Sequence, residues 1–150
     1  MGKAQLEQLE KYGSYLSVPH GISMYPMIRD RRDIVEIRKL EKEPQRYDLV
    51  MYIRGAEQGV IHRVLYKKDG IFVICGDNCW QREYVKPEQI RGIAVRFRRG
   101  EKWHEVDEKP YLLYVHLWCD FFWVRYVILR GRDFAKRGIR KLRSMIKKEK

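Results

Sequence analysis

Val60-Ile61-His62-Arg63-Val64-Leu65-Tyr66 and Ile71-Phe72-Val73-Ile74-Cys75 are two runs of β-branched and aromatic residues joined by Lys67-Lys68-Asp69-Gly70. Side chains branched at Cβ or carrying a ring favour extended backbone, and Asp-Gly supplies the left-handed φ that a tight hairpin turn requires. The stretch therefore predicts an antiparallel hairpin. The same pattern repeats on either side of it, in Ile34-Val35-Glu36-Ile37, Leu49-Val50-Met51-Tyr52-Ile53 and Ile90 to Phe97. Glu43-Pro44, Arg54-Gly55 and Asn78 supply turns between these runs. Five or six short strands with no helix between them predict a mainly β fold, a coiled antiparallel sheet or partial barrel.

The flanks read differently. Residues 4 to 16 predict a short N-terminal helix, with Leu6, Leu9 and Tyr12 along one face and Pro19 and Gly21 as its stop. After Gly100 a polar connector, Glu101 to Pro110, leads into the apolar and aromatic stretch Tyr111 to Leu129. That stretch has the length of a membrane span, but His116, Asp120 and Arg125 interrupt it, and charge in mid-span is costly in lipid. It predicts a helix that either folds onto the domain or lies in a membrane interface. The chain thus divides into residues 1–100, which would hold the chemistry, and residues 101–150, made of connector, aromatic helix and basic tail.

At 150 residues, 45% hydrophobic and 13% aromatic, the chain has enough apolar material for a core and is not an intrinsically disordered sequence. Its net charge of +12 is concentrated at the end: from Arg130 onward ten basic residues face only Asp133 and Glu149, a local excess of +8. Such a tail suits anionic partners, either nucleic acid or an anionic lipid surface. Leu142, Met145 and Ile146 share a helical face within it, which suits lipid. Cys75, Cys79 and Cys119 match neither a disulfide framework nor a zinc ligand set and read as free thiols in a reducing compartment. No metal or cofactor motif is present. Residues 1 to 10 carry no apolar segment of the kind that opens a secretory signal.

Three stretches put a reactive side chain beside structural punctuation. In Gly21-Ile22-Ser23-Met24-Tyr25-Pro26, Ser23 sits on a loop constrained on both sides, where a hydroxyl can be held and backbone N–H groups aimed at a developing oxyanion. His62 lies within a β-branched run and needs either a partner or an exposed position; its imidazole can shuttle a proton near neutral pH. Cys75-Gly76-Asp77-Asn78 ends the strand paired with that of His62, and Asp77 there can fix a histidine tautomer, as can Glu83 six residues on. Each stretch has a bland counterpart in an ST-turn, a solvent-facing strand histidine and an Asx-turn.

Taken in order, these stretches resemble the superfamily of signal peptidase I and the LexA-type self-cleaving repressors. The matching features are Gly21-x-Ser23-Met24-x-Pro26, Asp33-x-Val35-x-Ile37, Tyr47-Asp48-Leu49-Val50, His62-Arg63-Val64, Gly76-Asp77-Asn78 and Ile90-Arg91-Gly92, spanning about residues 16 to 97. The resemblance implies a serine endopeptidase on a coiled antiparallel β fold, with no cofactor and a peptide or leader as substrate. Ser23 matches the nucleophile. His62 occupies the general-base slot that bacterial signal peptidases and LexA-like proteins fill with Lys, so the chain looks like the Ser-His branch found in the endoplasmic reticulum, archaea and sporulating bacteria. Asp77 and Glu83 both match positions of an acid, and the sequence does not choose between them. Two departures stand out: residues 1 to 22 hold none of the membrane span that usually precedes the nucleophile, and Gly21 stands where a hydroxyl often helps bind the oxyanion.

The leading expectation is a signal-peptidase-like Ser-His-acid endopeptidase working on the cytoplasmic side, held peripherally at the inner face of a membrane by its basic tail. One alternative is a LexA-like self-cleaving transcriptional regulator. Only 22 residues precede Ser23, too few for a helix-turn-helix, so nucleic acid is disfavoured as a partner. The other alternative is an inactive binding module on the same fold. The sequence leaves the oligomeric state and the cleavage-site preference open.

Overall fold

The computed structural model describes residues 3–55 and 58–148, without the side chains of 3, 4, 142–144 and 146–148. The apolar face expected on Leu142 and Ile146 lies outside the described side chains. Helix α1 (Lys3–Tyr12) is followed by strands β1 (Ser14–Ser17), β2 (Ile34–Lys39), β3 (Leu49–Arg54), β4 (Gln58–Lys68), β5 (Ile71–Cys75), β6 (Glu83–Val85), β7 (Ile90–Arg99) and β8 (Lys102–Glu105). Helices α2 (Lys109–Asp120) and α3 (Phe122–Lys148) complete the chain. All strand pairings are antiparallel, in the order β1-β2-β7-β3-β4-β5-β6, with β8 on β7. The result is a mainly β, curled half-barrel sheet with three helices.

The quoted hairpin forms as expected, with Asp69 and Gly70 at φ +49° and +79° in its turn. The N-terminal helix is shorter than expected. Gly13, at φ +72°, donates its N–H to the Leu9 carbonyl and ends α1 in a left-handed cap, so Tyr15 and Leu16 belong to an edge strand. Part of the supposed connector is β8, which pairs Trp103 with Arg98 and His104 with Phe97. The aromatic stretch is two helices, bent by 78° at the break at Phe121, rather than one.

Side chains alternate across a strand, and in β3 both faces are buried because the sheet curls over itself. Leu49 and Met51 join a cluster with Leu9, Ile37, Phe97 and, from α2, Val115. Val50 and Tyr52 join a second cluster with Val64, Phe72 and Ile74 on the opposite face. Since α2 inserts Tyr111, Val115 and Cys119 into the first cluster, residues 111–119 share a core with the sheet. Cys75 and Cys119 are buried and Cys79 half-buried, all as free thiols.

Candidate active site

Strand register decides which side chains meet. In the β4–β5 pair Arg63 stands opposite Cys75, so the next β5-side residue, Gly76, falls beside His62, and Asp77 returns to the Arg63 face. In the β5–β6 pair Glu83 stands opposite Ile74, two residues before Gly76, which puts Glu83 on the His62 face. Across β3, His62 is opposite Val50, with Tyr52 two residues along on the same face.

The side chains follow this parity. His62, buried, places Nδ1 3.0 Å from Glu83 Oε1. Tyr52 donates its hydroxyl to Glu83 Oε2 at 2.7 Å, and Arg54 adds Nε and Nη2 bonds at 3.0 and 2.7 Å to the same oxygen. Burial alone would push the Glu83 carboxyl up, but the hydrogen bonds from His62, Tyr52 and Arg54 outweigh it and hold it down at about 2. An ionised Glu83 accepts the His62 Nδ1–H, which leaves Nε2 as the ring nitrogen beside Gly76.

That Nε2 faces the Ser23 segment across Gly76. A Cβ built on Gly76 would lie 2.8 Å from His62 Nε2 and 2.7 Å from the Ser23 carbonyl oxygen, so these two atoms are at most 5.5 Å apart, the two distances laid end to end. Only glycine permits this approach. Gly76→Ala is expected to push the Ser23 loop and the His62 ring apart, since the added Cβ would meet both at under 3.0 Å. The cost in stability, read from thermal melting, should stay at about 1–3 kcal/mol.

The Ser23 loop is clamped from three directions. Asn78 donates its backbone N–H to the Ser23 carbonyl at 2.7 Å and its side-chain amide to the Ile22 carbonyl at 2.9 Å. Met24 is buried in the first core cluster, where its sulfur accepts the Asp77 N–H. Asp33 accepts the Arg29 N–H at 3.0 Å, and Arg99 reaches the carbonyls of Pro26 and Met27. Ser23 is left half-buried on the wall of a groove of about 1130 Å³ that His62, Glu83, Trp80 and Trp123 also line. Among the described residues no hydrogen bond engages the backbone N–H of Ser23 or Met24.

Asp77, the other acid the sequence offered, does not meet the ring. It forms a bidentate pair with Arg63, Nε to Oδ1 at 2.9 Å and Nη2 to Oδ2 at 2.7 Å, both side chains fully buried. Arg63 also donates to the Tyr47 carbonyl and the Tyr111 hydroxyl, and Trp118 donates to the Asp77 carbonyl at 2.7 Å. The pair therefore ties β4, the loop after β5 and α2 together beneath the groove.

No site role is expected from the sequence for Tyr52, Arg54 or Gly76, nor for the buried Arg125 of α3. Arg125 donates Nε to the Cys79 carbonyl at 3.0 Å and Nη2 to the Gly76 carbonyl, bracing the loop that holds Ser23. The signal for Tyr52 and Arg54 was the register itself, two same-face residues on the strand beside His62. For Arg125 there was only the oddity of a charge inside an apolar helix. No protein-family model, curated protein or solved structure matches the chain.

Proposed function

We propose that the chain is a serine endopeptidase of the signal-peptidase-like kind, with Ser23 as nucleophile, His62 as general base and Glu83 as the acid that orients it. The observation that carries this reading is the polarised imidazole: Nδ1 lies 3.0 Å from an ionised Glu83, while Nε2 is turned to the Ser23 segment on the wall of one groove. Nε2 takes the hydroxyl proton as Ser23 Oγ attacks the scissile carbonyl, and Glu83 stabilises the imidazolium that forms. The open N–H groups of Ser23 and Met24 offer donors for the tetrahedral oxyanion. His62 then returns the proton to the leaving amine, and water, activated by the same ring, releases the acyl group.

The groove also suits an extended peptide. Residues Gln58 to Ile61 of β4 pair with β3 on one edge only, because β5 pairs with β4 from Arg63 onward. Gln58, Gly59 and Val60 line the groove beside His62. A substrate strand can add to this edge through backbone hydrogen bonds and bring its carbonyl toward Ser23.

The test is labelling with a fluorophosphonate, which needs an activated hydroxyl rather than an exposed one. The protein should take up one phosphonyl group, mapped to Ser23 by peptide mass, and Ser23→Ala should take up none. Labelling that persists in Ser23→Ala, or a wild-type chain that stays unlabelled while folded, would leave a non-catalytic binding module as the better description.

A further inference from the structure

Helices α2 and α3 carry more apolar surface than the domain uses. Their inner side is spent on the fold: Tyr111, Val115, Cys119, Arg125 and Leu129 are all buried. Their outer side exposes Leu113 and Leu117, one turn apart on α2, then Phe121 at the bend, then Trp123, Val127 and Phe134 on α3. At about 100° per residue the last three fall within about 40° of one another on the helix. Trp123 is 70% exposed and Phe134 79%. This is an apolar row, interrupted on α3 by the exposed Arg130, of the kind that marks an interaction site.

Charge identifies its occupant. Beyond Leu129 the described part of α3 sets Arg130, Arg132, Lys136, Arg137, Arg140 and Lys141 against the single acid Asp133. Lys136 and Arg140 are exposed and lie about 120–160° round the helix from the middle of the apolar row, and the exposed Arg137 flanks it at about 60°. A long helix with one apolar aromatic-bearing stripe and a basic remainder fits the boundary between headgroups and acyl chains of an anionic bilayer. Neither α2 nor α3 is alone long and apolar enough to cross a membrane. A nucleic acid would use the cations but has no place for Leu117, Val127 and Phe134, since its backbone is bound by charge and hydrogen bonds.

We infer that the outer face of α2 and α3 seats the protein on an anionic lipid surface, with the row from Leu113 to Phe134 in the acyl boundary and the basic side of α3 among the headgroups. Trp123 belongs both to this row and to the wall of the groove. The rim of the groove therefore lies at the bilayer, and substrates held at that surface reach Ser23 first. The seating itself does not depend on the peptidase reading, and Ser23→Ala should bind lipid like the unaltered chain.

Flotation of the full chain with vesicles tests this. It should rise with equimolar phosphatidylglycerol and phosphatidylcholine, stay behind with phosphatidylcholine alone, and be released at about 0.5 M salt, where exposed charges are screened. K136Q/R137Q/R140Q should weaken partitioning on the order of a hundredfold at low salt. L117S/V127S/F134S, which keeps every charge, should weaken it at least about tenfold. Both triple variants alter exposed side chains, so circular dichroism and melting should match the parent. Failure to float with anionic vesicles overturns the proposal, as does a serine variant that floats undiminished. Self-association without vesicles that the serine variant abolishes would assign the face to a second copy of the chain. Duplex DNA that binds both the parent and the serine variant more tightly than the vesicles do would assign the cations to nucleic acid.

Discussion

If Ser23 is the nucleophile and His62 its base, replacing His62 by Ala is expected to lower the acylation rate of Ser23 by about 10⁴-fold or more, because it removes the nitrogen that takes the hydroxyl proton in that mechanism. Glu83→Gln should fall between about 10² and 10⁴-fold. The neutral amide can no longer stabilise the imidazolium, and it can turn its NH₂ toward Nδ1 and select the wrong tautomer. Glu83 is held at about 2, so it stays ionised near neutral pH. Stopped-flow phosphonylation of the parent, His62→Ala and Glu83→Gln near neutral pH checks both losses. A Glu83→Gln chain that acylates at the parent's rate would mean that Glu83 serves only the fold.

The same carboxylate has a predictable part in stability. Its ionisation is easier in the folded chain than in the unfolded one, where the ordinary value is 4.5. The stabilisation it gives is thus fully present above about 4.5 and is lost as the pH falls from there through about 2. Glu83→Gln should flatten the acid side of the stability profile over that window.

The hairpin and the long strands were legible because each rests on local chemistry, on alternation and turn residues. Ser23 and His62 stood out by their local setting and Glu83 by spacing and resemblance, and the fold sets Glu83 beside His62. Short edge strands were not legible. β1, β6 and β8 have four, three and four residues, too few for a period to stand out, and Gly13 reads as a helix stop only once its positive φ is known. The single aromatic helix became two because Phe121, at φ −95° and ψ 46°, leaves the helical region, and nothing in its chemistry forces that. The choice between Asp77 and Glu83 turned on parity. Neighbouring residues on a strand point to opposite faces, and counting back from the Asp69-Gly70 turn sets His62 opposite Asp77; a bulge between Val64 and Tyr66 slips the pairing by one residue, sets Arg63 opposite Cys75 and exchanges the two acids.

That exchange has a large energetic consequence, which makes Asp77 the second strong prediction. Asp77 and Arg63 are both fully removed from water, and each is the other's counter-charge. Removing one partner leaves an uncompensated buried charge or an empty guanidinium seat, a loss of about 3–5 kcal/mol. Asp77→Asn and Arg63→Met should therefore each lower the midpoint of thermal unfolding by about 10 °C or more for a chain of this size. The double variant should be far less destabilised than the two losses added together, because it buries no lone charge. Activity is expected to move the other way from the Glu83 series: per folded molecule, measured well below the midpoint, Asp77→Asn should keep its acylation rate within about tenfold, since His62 retains Glu83. If Asp77→Asn instead kept its stability and lost acylation by about 10³-fold or more, Asp77 would be the orienting acid, and the Glu83 contact to the ring would be incidental to turnover. The buried pair thus divides the acids by measurement, one read in the melting curve and the other in the rate.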